Sequence, residues 1–228
     1  MLQNSNSLYK DLQLLLKDTE LTSIVGSRVS FFRKLKRFGK ALYDPRPFIS
    51  LEPYWVDIFS EACFCILTAN FRADKALFMQ KALGISGCLN YNYNQILYLL
   101  KKYGHRFAAQ RATRILKLRE NRNLLYKIAQ MTDYFKAREV LIKNIDGYGL
   151  KEASHFLRNI GFLEVAIIDR HIFKYLKNNG LLSNQKTVTS RVYKEAEQVL
   201  QKISQNIGIT SGELDLYLFY KQTGKVLK

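Results

Sequence analysis

Apolar residues along this chain recur at steps of three and four, the spacing that gathers them on one face of a helix. Between residues 55 and 66, Trp55, Ile58, Phe59, Ala62, Cys63 and Ile66 follow that rule. Between 191 and 203, Val192, Ala196, Val199, Leu200 and Ile203 do the same. No run of strand length alternates cleanly. All three prolines (Pro45, Pro47, Pro53) fall in one nine-residue stretch, so the rest of the chain is free of that helix breaker. Gly84, Gly87, Gly104, Gly147, Gly149, Gly161, Gly180 and Gly208 mark joints. The segments between them, of about 10–20 residues, predict an all-α fold. The proline stretch (43–53) and the Gly/Asn-rich segment 84–94 read as the main loops.

With 228 residues, 47% apolar and 24% charged, the chain can bury a sizeable core and is expected to form a single domain over 1–228. The charge balance narrows the function more than the size does. Lys and Arg number 36 against 19 Asp and Glu, a net charge of +17, which makes nucleic acid the default partner and leaves a basic membrane-surface protein as an alternative. Two stretches are dense. Residues 31–40 hold Arg33, Lys34, Lys36, Arg37 and Lys40, and residues 101–119 hold seven basic residues and no acid. Together they are expected to track a phosphate backbone, which gives affinity without sequence information. Three cysteines are too few, and odd in number, for a secreted disulfide scaffold. The amino-terminal residues lack the basic-then-apolar order of a signal peptide, and the longest apolar run, 62–69, cannot cross a bilayer. A cytoplasmic, nucleoid-associated monomer with no membrane partner is expected.

The segment 140–173 carries the chemistry. An apolar helix (Val140, Leu141, Ile142, Ile145) stops at Asp146-Gly147-Tyr148-Gly149, and a second begins with Ala153, Phe156, Leu157 and Ile160 on one face. Glycines two apart let the backbone turn tightly at the start of a helix, whose unpaired amides suit an anion. This is the helix-hairpin-helix pattern, although a plain turn between two helices gives the same spacing. Lys151 stands in the first turn of the second helix, against the helix dipole. Asp169 closes an apolar run (GFLEVAII) and can also cap the helix 170–177. An amine that attacks a sugar C1′ and leaves a Schiff base, helped by a carboxylate, would excise a base and open the strand. His155 and His171 read as packing or phosphate-contact residues. No zinc spacing and no four-cysteine cluster is present, so no cofactor is expected.

In the hairpin-Lys-to-Asp arrangement, the helix EACFCILTAN and the ending TGKVLK, the chain resembles the helix-hairpin-helix/Gly-Pro-Asp superfamily of base-excision glycosylases. More narrowly it resembles the archaeal-type 8-oxoguanine DNA glycosylase/AP lyases, over about residues 28–228. The superfamily's proline before the aspartate is absent. The resemblance implies two helical lobes with an active-site cleft between them, and a hairpin and catalytic block at about 133–180. It implies a bifunctional enzyme acting on double-stranded DNA that contains 8-oxoguanine, with Lys151 and Asp169 catalytic. Gly147, Gly149 and His171 would contact phosphate. Asn70 would fill the gap left by the flipped base, Phe107 and Phe219 would stack on that base, and the terminal Lys228 would help to read it. The carbonyls of Lys143, Ile145 and Tyr148 would hold a monovalent cation, no other metal being required. A non-catalytic helix-hairpin-helix nucleic-acid-binding protein is the alternative that the residues by themselves leave open.

Overall fold

The computed structural model describes residues 2–182 and 187–228. It is helical almost throughout, with twelve helices and one two-stranded sheet among the described residues. Two compact units divide the chain. One comprises residues 1–30, 162–226 and 228, and the other residues 31–161 and 227.

The second unit carries the hairpin. It is built around α3 (Ile58–Thr68), in which every residue is buried. A helix buried on every face needs neighbours on several sides. These are α4 (Ala73–Asn90), α6 (Ala108–Glu120), α7 (Arg122–Ala129) and α9 (Leu150–Asn159). Asp57 fixes the start of α3, its side chain accepting from the Ser60 amide at 2.7 Å in a reciprocal capping box. Buried polar groups lock the helices in register. Gln80 of α4 and Asn159 of α9 both donate to Glu61 of α3, at 3.1 and 2.6 Å. α5 (Tyr93–Lys102) and α8 (Tyr134–Asn144) complete this unit.

Three local expectations are corrected. Residues 40–57 form a β-hairpin, β1 (Lys40–Tyr43) pairing antiparallel with β2 (Tyr54–Asp57). Four-residue strands are too short to show a period, and β2 runs straight into α3, so its apolar positions merge with the helical pattern. Trp55 therefore lies on a strand and is exposed, not on a helix face. The expected loop 84–94 is mostly helix: α4 continues to Asn90 through a kink at Gly84 (φ 59°), because Gly87 and Cys88 are buried there. Tertiary burial outweighs the low helix propensity of that stretch.

The first unit contains α1 (Leu2–Lys17), the start of α2 (Thr19–Phe38), α10 (Arg170–Asn178), α11 (Ser190–Ile207) and α12 (Ser211–Thr223). α12 packs on α10 and α11. Asp215 of α12 accepts the Ile167 amide at 2.7 Å, and Gly212 donates to the Leu163 carbonyl at 2.8 Å. These bonds hold the apolar strip before Asp169. The chain end is docked: Gly224 caps α12 in the left-handed region, and Val226, Leu227 and Lys228 are buried. Among the described residues no helix is long and apolar enough to cross a membrane, and the three cysteines are buried.

Candidate active site

α8 and α9 form the hairpin, joined by the turn Ile145–Gly149. Tyr148 pins this turn to the core. Its ring lies against Phe156, and its hydroxyl donates to the Ala62 carbonyl of α3 at 3.0 Å, while full burial pushes the phenol pKa well up. Arg138 of α8 donates to Ser154 of α9 at 3.2 Å. The two glycines of the turn do different jobs. Gly147 has φ +88°, and a Cβ there would meet the Arg114 guanidinium at 2.7 Å. Gly149 is extended, and a Cβ there would touch only Glu152, at 3.6 Å. Gly147 is thus required by the fold itself, whereas Gly149 is not.

Gly149 is the N-cap of α9, which has no side-chain cap; the first intrahelical bond runs from Ala153 to the Gly149 carbonyl. The amides of residues 150–152 therefore precede the ladder at an open, positively polarised helix end. Lys151 is in this first turn, its side chain partly exposed. Its Nζ pairs with Glu152 at 3.3 Å, a carboxylate that is 17% exposed. Glu152 was not among the residues singled out from sequence. Its signal was there, in an acid at the third position of a helix directly beside the lysine. His155 is buried and unavailable to DNA, with Phe64 edge-on and Thr68 3.5 Å away.

Asp169, in the first unit, is the N-cap of α10. Its Oδ1 accepts the amides of His171 and Ile172, both at 2.9 Å, and Oδ2 makes no bond among the described residues. The capping role and an available carboxylate oxygen thus coexist. His171 accepts from Arg170 at 3.3 Å through Nε2, and its ring is edge-on to Phe219, 5.7 Å away. Phe219 is half-buried near the end of α12, and Lys228 is 4% exposed.

Asn70 follows α3 in the left-handed region (φ 55°) with its side chain exposed. The helix end before it is held by groups that pattern reading missed. His105 Nε2 donates to the Leu67 carbonyl at 3.0 Å, while its Nδ1 accepts the Phe107 amide at 3.1 Å; these bonds assign the neutral tautomer, and burial lowers the imidazole pKa. Arg111 and Arg106 donate to the Ala69 and Asn70 carbonyls, each at 2.6 Å. Both guanidinium groups also lie over the Phe107 ring, at 5.6 and 4.7 Å, and that ring is 39% exposed. A cation at a helix carboxyl end is placed favourably against the dipole.

The second basic stretch is therefore not simply a phosphate track. Arg111 is buried, Arg119 donates to the Cys88 and Tyr91 carbonyls at 2.9 and 2.7 Å, and Arg114 and Lys117 pair with Asp146. Lys101, Lys102 and Arg106 remain exposed, as do Arg33, Lys34, Arg37 and Lys40 of the first stretch. Lys143 lies in the last turn of α8, where carbonyls lack intrahelical partners. The Ile145 carbonyl accepts the Tyr148 amide at 3.1 Å. Among the described residues no group of His, Cys, Asp and Glu could hold a metal ion.

Comparison with known proteins identifies the family. The profile of the family described as 8-oxoguanine DNA glycosylase matches residues 51–209. The 8-oxoguanine DNA glycosylase/AP lyase of Aquifex aeolicus is 43% identical over 92% of this chain and 95% of that protein. The counterpart from Methanocaldococcus jannaschii is 39% identical over 93% and 96%. The crystal structure of the Methanocaldococcus jannaschii 8-oxoguanine glycosylase/lyase in complex with 15mer DNA containing 8-oxoguanine superposes with a TM-score of 0.84. It is 38% identical, over 97% of this chain and all of that one. With the family profile matched over residues 51–209 and relatives matched along nearly their whole length, the chain belongs to the 8-oxoguanine DNA glycosylase family.

Proposed function

We propose that this chain excises 8-oxoguanine from double-stranded DNA and then cleaves the strand, with Lys151 as nucleophile and Asp169 as supporting carboxylate. The observation that carries this reading is Lys151 in the first turn of α9, directly after an uncapped glycine turn. The α9 amides and Gly149 grip a phosphate, which delivers the neighbouring sugar to the amine. The Nζ–C1′ bond forms as the C1′–N9 bond breaks. The base leaves with the electron pair and takes up a proton, while Nζ gives one up. Glu152, already paired with Nζ, is the nearest acceptor for that proton. Asp169, rigid through Oδ1 with Oδ2 available, stabilises the positive charge that develops on the sugar. Loss of the next Nζ proton opens the sugar at C1′–O4′, with O4′ taking up a proton, and the imine so formed acidifies the C2′ proton, whose removal breaks C3′–O3′ and expels the 3′ phosphate.

The target base must leave the stack. We assign Asn70 to the vacated gap, supported by its exposure at a helix end fixed by three cationic or imidazole donors. Phe107 and Phe219 supply stacking surfaces for the base, Lys228 contributes to reading it, and Gly147 and His171 contribute to holding phosphate. A monovalent cation at the Lys143, Ile145 and Tyr148 carbonyls would add positive charge beside a DNA phosphate. A charge of +17 opposes self-association and favours a monomer kept on nucleoid DNA.

Borohydride reduction of the protein incubated with an 8-oxoguanine duplex tests the reading. The wild type is expected to become covalently trapped. Lys151→Gln is expected to lose trapping and strand cleavage while still binding duplex, since an amide cannot form the imine. Trapping by the mutant overturns the assignment, and absence of trapping in the wild type returns the non-catalytic binder.

A further inference from the structure

The outer face of the β-hairpin takes no part in the site above, and its composition is unusual for a solvent face. The inner face is locked. Ala41, Tyr43, Tyr54 and Val56 are buried, Tyr43 lies 5.0 Å from Phe31 and 5.7 Å from Tyr54, and Tyr54 donates to Gln80 at 2.9 Å. The end where Lys40 meets Asp57 is fastened twice, by the Ile58 amide on the Gly39 carbonyl and by the Tyr126 hydroxyl on Asp57, at 3.2 and 3.0 Å. Because side chains alternate, Lys40, Leu42 and Trp55 are directed outward, with Leu42 directly opposite Trp55. Trp55 is 56% exposed and Leu42 52%; Phe38, at the end of α2, is 64% exposed.

Each exposed aromatic ring carries a cation. Lys40 Nζ lies 5.0 Å from the centre of the Trp55 ring, and the Arg37 guanidinium lies 5.1 Å from that of Phe38. Arg33 and Lys34 are exposed nearby in sequence, and residues 31–43 contain no acid. Asp57, the acid of β2, is buried as the cap of α3. Flat apolar rings interleaved with unneutralised cations complement a polyanion that also offers flat rings. A duplex hides its bases, whereas an unpaired strand exposes them.

We propose that the hairpin's outer face binds a single-stranded segment of DNA, with bases on Trp55 and Phe38 and phosphates on Arg37 and Lys40. This surface would hold the enzyme on DNA beside unpaired regions, and it is independent of the catalytic reading. Trp55 is the only tryptophan, so tryptophan emission reports this face alone. Titration of the full chain with an oligothymidylate of about ten nucleotides is expected to quench that emission saturably. The quench is expected also in protein already trapped on an 8-oxoguanine duplex, and not with inorganic polyphosphate. Trp55→Ala is expected to weaken oligothymidylate binding about tenfold, read by anisotropy of the labelled oligonucleotide, with excision from a blunt duplex unchanged. No quench, an equal quench by polyphosphate, or competition by the trapped duplex overturns the proposal. So does wild-type affinity in Trp55→Ala, tighter binding of oligouridylate, or an equal quench by polyglutamate. Because the free protein suffices for the titration, failure here and failure of the catalytic reading are separable.

Discussion

Two helices in this enzyme begin beside the residues assigned to chemistry, and they begin in opposite ways. α9 starts at Gly149 with no side-chain cap on its first amides. α10 starts at Asp169, whose Oδ1 already occupies the amides of His171 and Ile172. Each helix start carries about half a positive elementary charge. At α9 no side chain caps that charge, and the lysine placed against it is offset by Glu152. At α10 the anion comes from the chain itself, and the charge holds a carboxylate rigid while its second oxygen remains available. In the proposed reading one physical device serves binding in one unit and chemistry in the other, and the choice turns on a single residue at the N-cap.

Substitutions at the two starts should separate these uses. Asp169→Asn keeps a good cap but removes the charge, so excision is expected to fall about 10²–10³-fold while thermal unfolding shifts little. A folded, fully active mutant would reduce Asp169 to a cap. The docked chain end offers a separate test. Deleting Lys228 is expected to slow 8-oxoguanine excision at least about tenfold and to spare cleavage at a preformed abasic site, which needs Lys151 but no base reading. Equal loss on both substrates would show a structural role.

The two glycines of the hairpin turn sharpen the contrast further. Gly147→Ala is expected to destabilise the protein by about 1–3 kcal/mol in denaturant unfolding, because a positive φ and the Arg114 guanidinium both oppose a side chain. Gly149→Ala meets only Glu152 at contact distance, so unfolding is expected to change by less than about 0.5 kcal/mol. Duplex binding should nevertheless weaken, equally for lesion and normal DNA, since the backbone's approach to phosphate is what the methyl obstructs. A lesion-selective loss would place Gly149 in recognition instead.

The helical fold, the hairpin, the lysine in its second helix and the capping aspartate were all legible in the sequence. Each depends on neighbours within a few residues: periodicity for the faces, two glycines for the turn, an acid for the cap. The end of the chain was legible for a similar reason, with Gly224 allowing a reversal and two apolar residues following it. Other features were not legible, because they depend on partners far away in sequence. Whether Arg111 meets a phosphate or the Ala69 carbonyl is settled by how α6 lies on the end of α3, 42 residues distant. The same holds for His105 on Leu67 and for Tyr148 on Ala62. The strand β2 formed where the pattern had run a helix back to Trp55, because four-residue strands carry too little period and gain their order from the core they cover. Local sequence set which helices form and where a charge can sit at their ends. Only tertiary packing decided which cations were spent on carbonyls and which remain for DNA, since a cation is drawn to whichever oxygen the fold brings within reach.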